Sequence, residues 1–209
     1  MAFIKSDEKY ETRVFRTFLE AQKVFENQLE EESSRLDALN YILGHQEISY
    51  VLDMLLDMFG SINNKDHYLI DHAFANFGKK PKREDDYHIL FKLLKSDNAY
   101  LRNKAITFLQ DYGEDAKSFI KKLLTNSDND IKIFAVNILG DVKYEDSREM
   151  LLQLIKGEQN VNVLMTAVDY LGEIGELEDI DVLEEIKSDF SSDPYVCFGI
   201  DVAIDKIRG

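Results

Sequence analysis

The chain has 209 residues, of which 44% are apolar and 31% charged, so it can bury a core and is not a disordered tail. No stretch of 18 apolar residues exists to span a membrane, and the single cysteine, Cys197, excludes an internal disulfide and a cysteine-based zinc site. With 25 basic and 40 acidic residues the net charge is −15, which repels phosphate backbones and anionic lipid and argues against nucleic-acid and membrane partners.

The opening Met-Ala-Phe-Ile-Lys-Ser-Asp-Glu has neither a basic start nor an apolar centre of the secretory kind. Together with the lone thiol, this sets the expectation of a cytoplasmic protein. Helix formers dominate, prolines are confined to Pro81 and Pro194, and Val and Ile do not alternate with polar residues. The pattern predicts an all-α chain.

In chain order, the apolar spacing of Val14, Phe15, Phe18, Leu19, Ala21, Val24, Phe25 and Leu29 predicts one long amphipathic helix over Glu8–Glu32. Two more helices are expected at Leu36–Leu43 and Ile48–Phe59. Gly78-Lys79-Lys80-Pro81-Lys82-Arg83-Glu84-Asp85 reads as a solvated loop between repeats. Gly44, Gly60, Gly78, Gly113, Gly140 and Gly172 each follow a helical pattern, where glycine can end a helix in the left-handed conformation.

From the middle onward the chain repeats. The columns are Leu101/Ile131/Val163, Ala105/Ala135/Ala167, Ile106/Val136/Val168 and Leu109/Leu139/Leu171, spaced by 30 and 32 residues. The pattern extends back to Leu69, Ala73, Phe74 and Phe77, and forward to Tyr195, Gly199, Ile200 and Ala203, the last with its register less certain by one residue. A small residue at the fifth position of each segment lets neighbouring helices approach closely. Each of these helices is preceded by another apolar one: Ile89–Leu94, Phe119–Leu124 and Met150–Ile155. Between the two lie polar hinges at Ser96-Asp97-Asn98, Asn126–Asn129 and Gly157–Asn160, whose Asn, Asp and Ser side chains can turn the chain and cap the following helix.

The periodicity predicts a single α-solenoid domain over 1–209. Residues 1–45 form divergent helices or a cap and 46–85 a weak repeat. Full repeats cover 86–114, 115–145, 146–177 and 178–209. Helical hairpins of this length and pattern resemble HEAT repeats, most closely the short HEAT-like repeats of phycobilisome (bilin) lyases. Leu171-Gly172-Glu173-Ile174-Gly175 matches their ending, and Asp97 and Asp128 their hinge aspartate. The resemblance implies a right-handed α-α superhelix. Because HEAT proteins include scaffolds, adaptors, lyase subunits and some DNA-repair enzymes, it does not fix a function.

At about 100° per residue, counting from the first column, positions 2, 3, 6 and 9 along each repeated helix point away from the core. In the last three repeats these exposed columns carry Ile133, Phe134, Met165, Cys197 and Phe198, with Asp169 and Asp201 beside them. Such an apolar strip edged by acids suits a basic amphipathic partner; the alternative is ordinary contact between repeats. The charge is also uneven: residues 146–209 hold 5 basic and 15 acidic groups, a net of −10, which marks a negative pole at this end.

Chemistry-bearing patterns are sparse. His67 and Asp71 can share a helix face, but neither His-Glu-x-x-His nor Glu-x-x-His occurs among His45, His67, His72 and His88, and no phosphate-binding glycine loop is present. No catalytic residue, cofactor or metal is expected. The reading is a non-enzymatic scaffold or adaptor that binds another protein, with a basic protein as the candidate partner and the oligomeric state left open. The alternatives are an immunity-type inhibitor of a basic protein and, through the resemblance, a lyase-type enzyme subunit acting with a partner. A DNA glycosylase of the HEAT-like kind would need a basic concave face, and Arg102, Lys104 and Lys132 are too few to make one.

Overall fold

A computed structural model describes residues 11–59, 66–142 and 144–209. Among them the chain is all-helical, with no strand. It divides into two compact units, Met1–Leu101 and Arg102–Gly209.

The first unit contains α1 (Phe18–Glu26), α2 (Glu32–His45), α3 (Ile48–Phe59), α4 (His67–Asn76), α5 (Glu84–Leu94) and the start of α6 (Ala99–Asp111). Helix α1 packs on α2, α2 on α4 and α3 on α5, the alternating neighbours of stacked hairpins. The long helix expected over Glu8–Glu32 is not formed. Its residues 8–10 lie outside the described residues, and helix begins only at Phe18, where the Thr17 hydroxyl accepts a hydrogen bond from the Glu20 N–H. At the other end Asn27 turns extended and its side chain accepts from the Leu29 N–H, which breaks the chain before α2. Val14, Leu19 and Leu29, counted on the apolar face, are exposed, whereas Phe15, Ala21, Val24 and Phe25 are buried. Helix α2 contains Leu36–Leu43 and is longer at both ends, and α3 matches its expected span.

The second unit contains most of α6, then α7 (Lys117–Leu124), α8 (Asn129–Val142), α9 (Ser147–Ile155), α10 (Val161–Ile174), α11 (Ile180–Asp189) and α12 (Pro194–Arg208). Short 3-10 turns at Gly113–Ala116 and Leu177–Asp179 lead into α7 and α11. Helix α8 packs against α7 and α10, and α10 in turn against α9 and α12, so α8, α10 and α12 form one row. Ala105, Ala135 and Ala167 are fully buried, as the repeat columns require, and so are Leu101, Ile131 and Val163 at the first position.

The hinges are built from side-chain caps, repeat after repeat. Asn98 Oδ1 accepts from the Tyr100 and Leu101 N–H groups. Asp128 Oδ1 accepts from Asp130 N–H, Asn160 Oδ1 from Asn162 and Val163, and Asp193 Oδ1 from Tyr195 and Val196. These bonds satisfy amide donors that the first helical turn leaves without carbonyl partners. Asn98 also donates from Nδ2 to the Phe59 carbonyl at 2.7 Å, joining its hinge to the end of α3.

A second set of rungs links the first helices of successive hairpins. Lys117 and Lys121 of α7 reach Asp146, the N-cap of α9, at 2.6 and 3.0 Å. Arg148 of α9 then holds Asp179, just before α11, through paired bonds of 2.7 and 2.8 Å. Asp179 also accepts from the Glu176 N–H at 2.8 Å. In the first unit Arg35 of α2 pairs with Asp66, just before α4, and so joins two second helices instead.

The glycines differ from expectation. Gly113 ends α6 with φ of 51°, but Gly44, Gly140 and Gly172 lie inside helices, and Gly60 lies outside the described residues. Gly140 and Gly172 serve close approach instead. A Cβ on Gly140 would stand 1.9 Å from the Tyr170 ring, and one on Gly172 would stand 3.0 Å from the Ala203 Cα. Gly199 is similar, with the Met165 Cε 2.1 Å from where its Cβ would be. The ninth-position column, expected to point away, therefore faces the next helix of the row. Helices in the row touch their own hairpin partner and their row neighbours, so their buried arc is wider than a single stripe.

Candidate functional site

The open face of the second unit carries a groove of about 560 Å³ lined by α8, α10 and α12. On α10, Asn162, Met165, Thr166, Asp169, Tyr170 and Glu173 follow helical spacing and present one continuous face. On α12, Tyr195, Phe198 and Val202 stand one and two turns apart and form the opposite wall. Tyr195 is 62% exposed and Phe198 69%, the most open large apolar side chains of the second unit apart from Leu177. The α10 wall is acidic, and no Lys or Arg lines the groove.

The seven strip residues have different fates. Met165, Asp169 and Phe198 line the groove. Met165 is 8% exposed, its methyl lying against Gly199, so it forms floor rather than anchor. Phe134 lies under the Arg102 guanidinium, 5.5 Å from the ring centre, and Ile133 is half-buried. The Cys197 thiol turns toward the Lys187 and Phe190 carbonyls, 4.0 and 3.6 Å away, on the α11 side of its helix. Asp201 pairs with Lys187. Ile133, Phe134, Cys197 and Asp201 therefore do not line the groove.

The columns expected to be exposed do not include Tyr195, Tyr170, Glu173 or Val202. Tyr195 occupies the first position, which is buried in Leu101, Ile131 and Val163. In α12 that role passes to Val196, fully buried one residue later, so the register shifts at the helix start as Asp193 and Pro194 initiate it. A helical wheel of α10 extended by one residue would have found Glu173, whereas Tyr170 lies about 20° from the direction of Val163 and reads as core.

The electrostatics of the groove are negative. Burial raises the Tyr170 pKa, and the carboxylates of Asp141, Glu173 and Asp169 push it further the same way. At the rim, Lys206 Nζ lies 2.9 Å from Asp169, and this hydrogen bond raises the lysine pKa. Asp169 remains 70% exposed.

The other candidates resolve into structural contacts. His67 stacks on Tyr100, whose hydroxyl donates to Asp71; the shared face of His67 and Asp71 thus holds a tyrosine. Burial, then the bond and charge of Asp71, raise the Tyr100 pKa to about 12. His45 stacks on Tyr41, and His72 Nε2 meets Asn40 Oδ1 at 2.6 Å. Among the described residues no group of three His, Cys, Asp or Glu could hold a metal ion. In the basic loop, Lys79 and Arg83 lie 3.7 and 3.8 Å from Glu47, each about half exposed, as a solvated loop would be.

Ala135, Ala167 and the capped hinges of α8, α10 and α12 lie in the same stretch as a family match. Residues 116–194 match the family model of HEAT repeats. The matched stretch runs from the start of α7 to the start of α12 and includes α10, one wall of the groove. No curated protein matches the chain. The crystal structure of an engineered protein is similar at 16% identity, over 93% of this chain and 97% of that one, with a TM-score of 0.37. No helix among the described residues is long and apolar enough to cross a membrane.

Proposed function

We propose that this chain is a non-enzymatic protein-binding module whose partner seats in the groove of α8, α10 and α12. The observation that carries the reading is the α12 wall: Tyr195, Phe198 and Val202, aligned and exposed beside a cavity, on a helix whose opposite side is packed. Large aromatics left in water at helical spacing are the anchors of protein interfaces. The second unit supplies a frame, since its hairpins are joined by glycine contacts between α8, α10 and α12 and by charged rungs between α7, α9 and α11. Tyrosine, phenylalanine and carboxylates with no positioned base or nucleophile suit recognition rather than catalysis.

The test is affinity capture on the full chain with mass spectrometry, comparing the native protein with Tyr195→Ser and Phe198→Ser. Both side chains are largely exposed, so the variants keep the fold. A partner retained in full by both would refute the reading. Phe134 and Met165 are unsuitable for this purpose, because one is covered by Arg102 and the other is packed on Gly199.

A further inference from the structure

The two walls of the groove differ in chemistry. The α12 wall is apolar, while Asp169 and Glu173, one turn apart on α10, make the other wall acidic. The stripe from Tyr195 to Val202 spans roughly 10 Å at helical rise, the length covered by two turns of a facing helix. The surroundings reinforce the sign. Residues 146–209 carry 15 acidic groups against 5 basic ones. Three of those five, Arg148, Lys187 and Lys206, are engaged by Asp179, Asp201 and Asp169, and Asp169 stays 70% exposed beside Lys206, open to a second cation.

Resting on the protein-binding reading above, we propose that the occupant is a cationic amphipathic helix. Its apolar residues lie on Tyr195, Phe198 and Val202, and its Lys or Arg side chains face Asp169 and Glu173. A second copy of this chain is a poor occupant, because it would bring its own acidic segment against this one. A phosphate backbone is repelled for the same reason. A cationic helix satisfies both walls at once: apolar burial gives affinity, and the carboxylates set orientation and speed encounter.

The test uses the full chain and three labelled peptides, with binding read by fluorescence anisotropy at low and moderate salt. The first peptide carries leucines at i, i+3, i+4 and i+7 and lysines elsewhere. The second replaces lysine by glutamate. The third keeps the lysine composition in scrambled order, without the apolar stripe. The first peptide should bind most tightly, with the scrambled one at least about tenfold weaker and the glutamate one undetected. Phe198→Ser should weaken the first peptide by about tenfold or more, and Asp169→Asn with Glu173→Gln by roughly tenfold at low salt. Tyr50→Ser, at an exposed tyrosine of the first unit, should change nothing.

Equal binding of the lysine and glutamate peptides, both lost with Phe198→Ser, would overturn the cationic partner and leave the protein-binding reading standing. Binding of the lysine peptide that ignores Phe198→Ser would mean adsorption to acidic surface and overturn the proposal. Binding of none of the three would overturn it too, with the capture experiment then deciding the broader reading on its own.

Discussion

Replacing Asp179 by alanine tests whether the charged rungs hold the repeats together. The Asp179 side chain is 3% exposed and accepts from Arg148 Nε, Arg148 Nη2 and the Glu176 N–H at 2.7–2.8 Å. The lost backbone cap costs about 1 kcal/mol. Each charge-assisted bond contributes about 1.5–3 kcal/mol. Arg148 is 22% exposed and keeps Glu176 at 3.2 Å and Glu178 at 4.0 Å, which recovers up to about 1 kcal/mol. The expected net loss is about 3 kcal/mol, at the lower end of the range for breaking a buried pair. In urea unfolding followed by circular dichroism, the transition of the second unit should shift by that amount. Melting should fall by about 6–12 °C, at roughly 2–4 °C per kcal/mol for a chain of this size. Asp179→Asn keeps the cap and should cost about half as much. The double variant with Arg148→Ala should cost less than the sum of the two singles. A loss below about 1 kcal/mol for Asp179→Ala, or strict additivity, would refute the view that this rung joins the hairpins.

Three further outcomes follow from the same contacts. Asp146 is held at about 2 by hydrogen bonds from Lys117 and then Lys121; in Asp179 burial works upward, but Arg148 and the Glu176 N–H bring the pKa below its ordinary value. Folded-state values below the unfolded ones mean stability that is present above about pH 4 and lost as the pH falls toward 2, so melting temperature should drop across that window, and less steeply in Asp146→Asn and Asp179→Asn. Gly140→Ala gains about 1 kcal/mol of helix propensity but must expel the Tyr170 ring at about 1–3 kcal/mol. Thermal melts should therefore show it neutral to destabilising in the native background and stabilising beside Tyr170→Ala; stabilisation by the single change would contradict the contact. Asn98→Ala removes the cap of α6 and the bond to the Phe59 carbonyl, for about 2–3 kcal/mol in urea unfolding. Asn98→Asp, which keeps only the cap, should fall between.

The alanine column was readable because a small residue recurs at one position among large ones, and only helix contact explains that. The hinge caps were readable because Asn, Asp and Ser satisfy a helix start from within the chain. What failed depended on partners distant in sequence. Gly140 and Gly172 look like helix-ending glycines when each segment is read alone; only the arrival of Tyr170 and Ala203 shows that they admit a neighbour. The break of the first helix turns on Thr17 and Asn27, two ordinary polar residues whose local bonds outweigh an apolar spacing that would have continued. In the groove, Asp169 and Phe198 stand where helix geometry directs their columns, whereas Met165, from a column expected to point away, is buried against Gly199. The surroundings of Phe134 depend on Arg102, thirty-odd residues earlier, which lies over its ring. The rungs Lys117–Asp146 and Arg148–Asp179 recur at the repeat spacing, and aligning the first helices as well as the second would have exposed them.

Helix α12 packs on α10 and α11, and the two walls of the groove belong to α10 and α12. A ligand lying across α10 and α12 would act as a clasp between the two helices. Its grip would add RT ln(1 + [L]/Kd) to the resistance of the whole row, and occupancy would be legible as slowed amide exchange in a helix the ligand only half covers.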